Sequence, residues 1–263
     1  MKIIPIFIVT FNKLEVLKKS IASYYKNIGT PFQIVIHDNT SDYPPLLEYF
    51  EELKKNGVDV YYNDKNDAFE SVHKTVDDWF EKNSSVADDY YVVTDPDIQL
   101  ENTNPDILMY YKYLLLLNKS FMVPDKYSGE LTHQEVYGVG PMLRIDDIPD
   151  HYPLKGEAIQ RHYEQFWSKI PLSVTWMQRQ YNYLPCFIDS TFAMYHKSFK
   201  FKNHNFAMRT HAPYSARHLD WYIDTKNPTE DELYYYKTAR GFVNWSSGHG
   251  KEMGLKMKDD KDE

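Results

Sequence analysis

Apolar and polar positions alternate in blocks along residues 1–100. Ile3 to Val9 is a short β-branched and apolar run closed by Thr10-Phe11-Asn12, the pattern of a buried strand. Asn12 predicts a cap for a helix whose apolar positions Leu14, Leu17, Ile21 and Tyr24 recur three to four apart. Phe32 to Ile36 reads as a second strand, closed by His37-Asp38-Asn39-Thr40-Ser41-Asp42, and Leu46 to Lys55 as a second helix stopped at Asn56-Gly57. Val58 to Tyr62 is a third strand, and Ala68 to Phe80 a third helix with Phe69, Val72, Val76 and Trp79 on one face. Tyr90 to Thr94 is a fourth strand, ending at Asp95-Pro96-Asp97.

Strands and helices that alternate with short connections predict parallel βαβ units with right-handed crossovers. Ligands of such sheets bind beyond the carboxyl ends of the strands. Thr10–Asn12, Asp38–Asp42, Asn63–Asp67 and Asp95–Asp97 therefore fall on a single rim. Beyond Asn104 a helix runs through Leu117, followed by a short strand at Phe121 to Val123. Tyr137 to Ile145 and Phe192 to Tyr195 read as strands, Ala158 to Trp167 as a helix, and residues 204–225 as loop. Thr229 followed by Glu232 is a capping-box signature for a final helix through Tyr236 and Ala239. Tyr110-Tyr111 and Tyr234-Tyr235-Tyr236 read as packing aromatics, and Lys256 to Glu263 as a solvated charged tail. With no internal repeat and no low-complexity linker, 1–263 is expected to be one domain.

Composition narrows the classes. Hydrophobic residues make up 42% of the 263, enough to bury a sizeable core without staples. The formal charge of −8 argues against a nucleic-acid partner, which needs an excess of cations over phosphates. Cys186 is the only cysteine, so there is no disulfide framework and no thiolate metal cluster, in keeping with a reducing compartment. The first apolar run is too short to span a bilayer and lacks a cleavage-site pattern, and Leu114 to Leu117 is bracketed by Lys112 and Lys119. The expected location is the cytosol or its membrane surface, with no integral membrane segment.

Asp95 and Asp97, one residue apart at a strand end, suit a common hard cation. Mg2+ or Mn2+ takes one or two carboxylates and completes its shell with substrate phosphate oxygens. Asp and Pro are also ordinary turn residues, so the bland alternative is a polar turn.

With the other rim clusters, the chain resembles the GT-A fold glycosyltransferases, particularly the family 2-like enzymes. The resemblance rests on Ile8-Val9-Thr10-Phe11-Asn12, His37 to Asp42, Asn63 to Asp67 and Asp95-Pro96-Asp97, in order and in spacing. It covers residues 1–100 and loosens after them. It implies an α/β fold, with a Rossmann-like, mostly parallel central sheet flanked by helices and a C-terminal acceptor-side elaboration. Residues 1–100 would form the nucleotide-sugar-binding half and 101–263 the acceptor-binding half. Thr10 and Asp38 would contact the base, Asn12 would order the first loop, and Asn66 would lie near ribose or diphosphate. Asp97 would be the main ligand of Mn2+ or Mg2+, with Asp95 touching ribose or metal. The family often has Gly shortly after the third-strand Asn, where this chain has Asp67-Ala68.

Inverting transfer also needs a general base, usually a carboxylate. Asp189, in Cys186-Phe187-Ile188-Asp189-Ser190-Thr191, lies at the distance from the metal motif that similar enzymes show, and its bland alternative is a cap. Asp146 and Asp147 are weaker rivals. The segment Arg209 to Tyr222 packs cations with aromatics. By its position in the resemblance, His218 would ligate metal, and Arg209 or Arg217 would grip phosphate through a bidentate fork. Each has a bland alternative as a structural residue. Tyr and Trp suit sugar stacking, and the chain has 23 and 5 of them.

The implied activity is transfer of a hexose or deoxyhexose from a UDP-, GDP- or dTDP-linked donor to a hydroxyl of a glycan or glycoconjugate. Inversion follows if Asp189 is the base, and a retaining enzyme would need none. A nucleotidyltransferase would favour a Gly-rich basic first loop, which Thr10-Phe11-Asn12-Lys13 is not. An Asp-x-Asp phosphatase usually carries that motif at its first strand. A nucleotide- or sugar-binding module without turnover is the non-enzymatic alternative.

Overall fold

The computed structural model describes residues 2–124, 128–239 and 246–255. The tail Lys256 to Glu263 lies outside the described residues. The parallel half holds β1 (Ile4–Thr10), α1 (Glu15–Asn27), β2 (Phe32–Asp38), α2 (Pro44–Lys55), β3 (Asp59–Tyr62), α3 (Val72–Asn83) and β4 (Tyr90–Thr94). Next come β5 (Ile98–Gln99), α4 (Ile107–Leu117), β6 (Ser120–Pro124), β7 (Leu131–Glu135), β8 (Gly138–Pro141) and α5 (Lys155–His162), which runs into a π-turn at Tyr163–Trp167. The last part holds β9 (Leu172–Trp176), β10 (Arg179–Ile188), β11 (Ala193–His196), β12 (Asn205–Thr210) and β13 (Arg217–His218). A 3-10 turn at Leu219–Tyr222, α6 (Glu230–Thr238) and α7 (Ser246–Glu252) follow.

Nine strands form one sheet in the order β3-β2-β1-β4-β11-β8-β12-β10-β9. The first four are mutually parallel, as the alternation predicts. Beyond β4 the pairing is mixed: β11 is antiparallel to β4 and β8, β12 runs parallel to β8, and β10 is antiparallel to β12.

Strand alternation sorts the core into two layers. On β1, Ile4, Ile6 and Ile8 join the larger cluster with α1, α2 and α4, whereas Phe7 and Val9 face α3. On β4, Tyr90 and Val92 face the first layer, and Tyr91 and Val93 the second. Val72, Val76 and Trp79 of α3 cover that second layer, as their spacing predicts. Tyr110, Tyr111, Tyr235 and Tyr236 are core residues.

Two expectations are corrected. Asn12 does not cap α1; it sits at φ +49, and the Leu14 and Glu15 N–H groups donate instead to Asp231 of α6, at 2.9 and 3.1 Å. A carboxylate at a helix N-terminus meets both its orphan donors and its dipole. Residues 205–210, read as loop, are a buried strand of the central sheet. The Thr229–Glu232 capping box is present with both of its bonds, and α7 follows the helix that it starts.

Gly140 shapes the rim at the carboxyl end of β4. The chain after β10 crosses the sheet over Gly140 to reach β11. A Cβ there would lie 2.4 Å from Ile188 Cδ1 and 2.9 Å from the Thr191 carbonyl oxygen. Its missing side chain lets Asp189–Thr191 lie flat against the sheet beside the end of β4.

Candidate functional site

The first three rim clusters are tied together by backbone. Asn39 N–H donates to the Thr10 carbonyl at 2.9 Å, and Asn63 N–H to the Asp38 carbonyl at 2.8 Å. The Asn12 amide donates to Asp42 Oδ1 (2.7 Å) and Thr238 Oγ1 (3.0 Å) and accepts from the Asp42 and Tyr43 N–H groups. Asp38 accepts from Ser41 N–H in a tight turn, and burial raises its pKa. Asn66 only accepts from Ala68 N–H, at 3.3 Å. Asn63 is the hub of its loop, its amide nitrogen lying within hydrogen-bond distance of Asn39, Lys65, Asp67 and Ser71. Ala68 adopts φ +54, the left-handed region that glycine takes without cost. Its carbonyl is held there by Asn39 Nδ2 at 2.8 Å.

Thr10, Asn12 and Asp38 are all buried. Helix α6 lies over Asn12 and its partner loop: the Tyr234 ring packs tilted on Tyr43 at 4.6 Å and its hydroxyl donates to the Asp42 carbonyl, while Thr238 Oγ1 accepts from Asn12. A cavity of about 510 Å³ opens beside the third-strand loop, lined by Asp67, Phe69, His73 and Phe201; no carboxylate from beyond β4 lines it.

The fourth cluster is a buried charge network. Asp97 Oδ2 accepts from Lys13 Nζ at 2.8 Å, and the same ammonium binds both oxygens of Asp220, at 2.9 and 2.7 Å. Lys13 also lies 4.6 Å from the Tyr235 ring centre. Burial pushes the Lys13 pKa down, but Asp220 and Asp97 outweigh it and hold the group well above its ordinary value. Burial likewise pushes Asp220 up, and Lys13 then brings it below the usual carboxylate range. Asp97 Oδ1 is buried and, among the described residues, has no hydrogen-bond partner.

β13 pairs antiparallel with β5, which sets His218 against Ile98, immediately after Asp97. His218 Nε2 lies 3.9 Å from Asp97 Oδ1, and its ring stacks on Trp221 at 5.1 Å. Trp221 in turn meets His162, whose pKa burial drives down to about 3.

The crossing segment brings Asp189 to the same place. Asp95 N–H donates to the Ser190 carbonyl at 2.9 Å, and Ser190 Oγ donates to Asp95 Oδ2 at 2.7 Å. Burial, then Asp97 and Asp189, push the Asp95 pKa well up. Asp189 keeps a side chain 44% exposed, while its partner Arg209 is 4% exposed. Arg209 donates to Asp189 Oδ1 (3.3 Å) and to the Pro141 and Phe187 carbonyls, beneath the Phe166 ring. Burial pushes the Asp189 pKa up, but Arg209 and the Thr191 hydroxyl outweigh it and hold it below the usual range. Arg217 is paired with Asp147 and Glu101.

Asp95, Asp97, Asp189, Arg209 and His218 are thus brought together, while Thr10, Asn12 and Asp38 lie buried along the rim with Asn12 bonded to α6, Asn66 is exposed on the third-strand loop, and Arg217 is held at the edge. Lys13, Asp220, Ser190 and His162 belong to the group but carry no sequence motif.

Among the described residues no three His, Cys, Asp or Glu side chains are arranged to hold a metal ion on their own. Asp97 Oδ1 and His218 Nε2 nevertheless face each other at 3.9 Å. The first is a buried oxygen without a partner, the second a nitrogen facing it across a gap. This fits a hard cation whose remaining ligands come from a substrate's phosphates.

No protein-family model matches the chain, and no curated protein matches it in sequence. Solved structures do. Mannosyltransferase PcManGT from Pyrobaculum calidifontis, in complex with GDP-Man and Mn2+, is 15% identical over 55% of this chain and 36% of that one, with a TM-score of 0.36. TarS 1-349 from S. aureus is 10% identical over 96% and 69%, with a TM-score of 0.44. Glucosyl-3-phosphoglycerate synthase from Mycobacterium tuberculosis, in complex with UDP, is 12% identical over 75% and 57%, with a TM-score of 0.36. The match thus spans about a third of the length of the mannosyltransferase. At these identities and TM-scores the likeness extends to the α/β backbone plan and to none of the chemistry. No helix among the described residues is long and apolar enough to cross a membrane.

Proposed function

We propose that the protein transfers a sugar from a nucleoside-diphosphate sugar to a hydroxyl of a glycan or other acceptor, with inversion. The observation that carries this reading is the gap between Asp97 Oδ1 and His218 Nε2, at the carboxyl end of a parallel β4, with the half-exposed Asp189 beside it.

In this reading Asp97 and His218 hold a divalent cation, which would stabilise charge developing on the departing diphosphate. Asp189, kept ionised by Arg209, accepts the proton of the acceptor hydroxyl. Asp95, fixed by Ser190, faces ribose or metal. Asn12 orders the first-strand loop through Asp42 and Tyr43, the exposed Asn66 faces ribose or diphosphate, and Arg217 borders the phosphate side, while the buried Thr10 and Asp38 shape the floor of the base site rather than touch it. Arg209 is so fully engaged that its role is to position Asp189 rather than to grip phosphate.

Thermal stabilisation by UDP, GDP, dTDP and their sugars, with and without Mn2+, tests the site. A ligand that binds only the folded state raises the melting temperature by mass action. The expected result is a shift that needs both the metal and one diphosphate, and its loss in Asp97→Ala. No shift with any nucleotide sinks the reading.

That no three ligating side chains among the described residues are arranged to hold a metal ion favours a second reading, a nucleotide- or sugar-binding module without turnover. Free nucleotide released from a donor in the presence of Mn2+ separates the two, because a pure binder releases none.

A further inference from the structure

We propose that Lys13 makes cation binding at Asp97 conditional on a bound diphosphate. The proposal rests on reading Asp97 and His218 as a cation half-site, and its argument is geometric. Lys13 holds one oxygen of Asp97 and both oxygens of Asp220, so of four carboxylate oxygens only Asp97 Oδ1 is left open.

A divalent ion on Oδ1 would share one carboxylate with an ammonium. Two cations on one carboxylate repel, and burial leaves little water to screen them. The three side chains together carry one net negative charge, from two aspartates and one lysine. One oxygen and one imidazole nitrogen are also far short of the roughly six ligands that Mg2+ demands. Metal alone is therefore held weakly. A diphosphate changes both terms, because it brings further oxygens and further negative charge. Lys13 follows Asn12 on the first-strand loop, so the residue that restrains the metal stands on the nucleotide rim itself.

The consequence is a coupled site, in which nucleotide and cation enter together and a bare cation does not occupy the protein. Lys13 is in this sense a positioning residue. It acts through Asp97, and no contact with the reacting atoms is needed.

Mn2+ binding measured by loss of the free-ion paramagnetic resonance signal tests this, with Mn2+ alone and with UDP, GDP or dTDP added in turn, each read as the loss beyond that of the same Mn2+ and diphosphate without protein, because a diphosphate chelates Mn2+ by itself. Wild type is expected to take up Mn2+ only with a diphosphate. Lys13→Met is expected to bind Mn2+ alone at least tenfold more tightly than wild type, about 1.4 kcal/mol. A substitution that merely damages the fold does not produce a gain. The double variant Lys13→Met/Asp220→Asn keeps the wild type's net buried charge, which guards against loss of folding. It is expected to retain part of the gain, because both oxygens of Asp97 are then open. Equal affinity for Mn2+ alone in wild type and both variants overturns the role of Lys13 and leaves the half-site standing. Absence of Mn2+ uptake by wild type with every diphosphate overturns the half-site itself.

Discussion

Asp95 and Ser190 meet twice, with the Asp95 N–H on the Ser190 carbonyl at 2.9 Å and the Ser190 hydroxyl on Asp95 Oδ2 at 2.7 Å. This double contact pins the segment carrying Asp189 to the end of β4. Ser190→Ala removes the side-chain bond and leaves a buried carboxylate oxygen unmet. The expected cost is about 1–3 kcal/mol, read as a lower denaturation midpoint at constant slope. An unchanged midpoint would show that the backbone bond alone holds the segment.

Arg209 holds the Asp189 pKa down against its partial burial, and the sign of that effect is testable. Burial alone raises the carboxyl, and Arg209 brings it below the ordinary range. A base with a lowered pKa stays ionised to lower pH. Arg209→Met leaves the burial and removes the cation, so the acidic limb of the kcat/KM profile moves to higher pH. Nucleotide affinity, by contrast, is expected to hold. A large loss of nucleotide binding with an unmoved limb would return Arg209 to the phosphate role. In stability terms the Asp189–Arg209 pair contributes above the unfolded carboxyl value of about 3.9, and the contribution is lost as pH falls through the lower folded value.

β1 and β4 were legible because each is a short apolar run buried on both faces, whereas the edge strand β3, only partly buried, was legible from its place between Asn56-Gly57 and the polar loop at Asn63. β12 escaped because Asn205, Arg209 and Thr210 make it look like solvated loop. Its polar groups are satisfied internally, Arg209 by two carbonyls and Thr210 Oγ1 by the Tyr214 carbonyl at 2.7 Å. β10 carries Pro185 and several polar residues, a composition that argues against a strand inside a sheet. Asp97 and His218, which the structure brings within 3.9 Å of each other, were nominated from the sequence. Lys13 was not, because its partner Asp220 lies 207 residues away and a lone lysine after a strand reads as surface.

Among the described glycines, Gly140 is the one that the crossing segment lies against. In Gly140→Ala the Ile188 methyl can swing aside, but the Thr191 carbonyl at 2.9 Å is backbone and has to move. Overpacking of this kind costs about 1–3 kcal/mol. Because the displaced segment carries Asp189 and not Asp97, turnover is expected to fall while the diphosphate-and-Mn2+ thermal shift survives. A variant with wild-type turnover would mean that the segment carries no base.

His249 gives the protein a dependence on pH that lies away from the carboxylates. It is fully buried, with Nε2 on the Tyr152 hydroxyl at 2.7 Å and Nδ1 on the Tyr236 hydroxyl at 2.8 Å. Burial, with Lys13 and His218 adding to it, drives its pKa down to about 3. In the unfolded chain a histidine titrates near 6.5, so between these values the unfolded state binds a proton that the folded state refuses. Stability therefore falls as pH drops from about 6.5 toward 3, by up to about 1.4 kcal/mol per pH unit for this residue. His162, also driven to about 3, adds a similar slope. His249→Gln keeps groups able to bond both tyrosines but cannot titrate. Between about pH 4.5 and 6, above most carboxylate titration, chemical denaturation of this variant is expected to show a slope shallower by about that amount. An identical slope in the two proteins would mean that His249 is protonated in the folded state, or that α7 leaves its place before the histidine has to titrate.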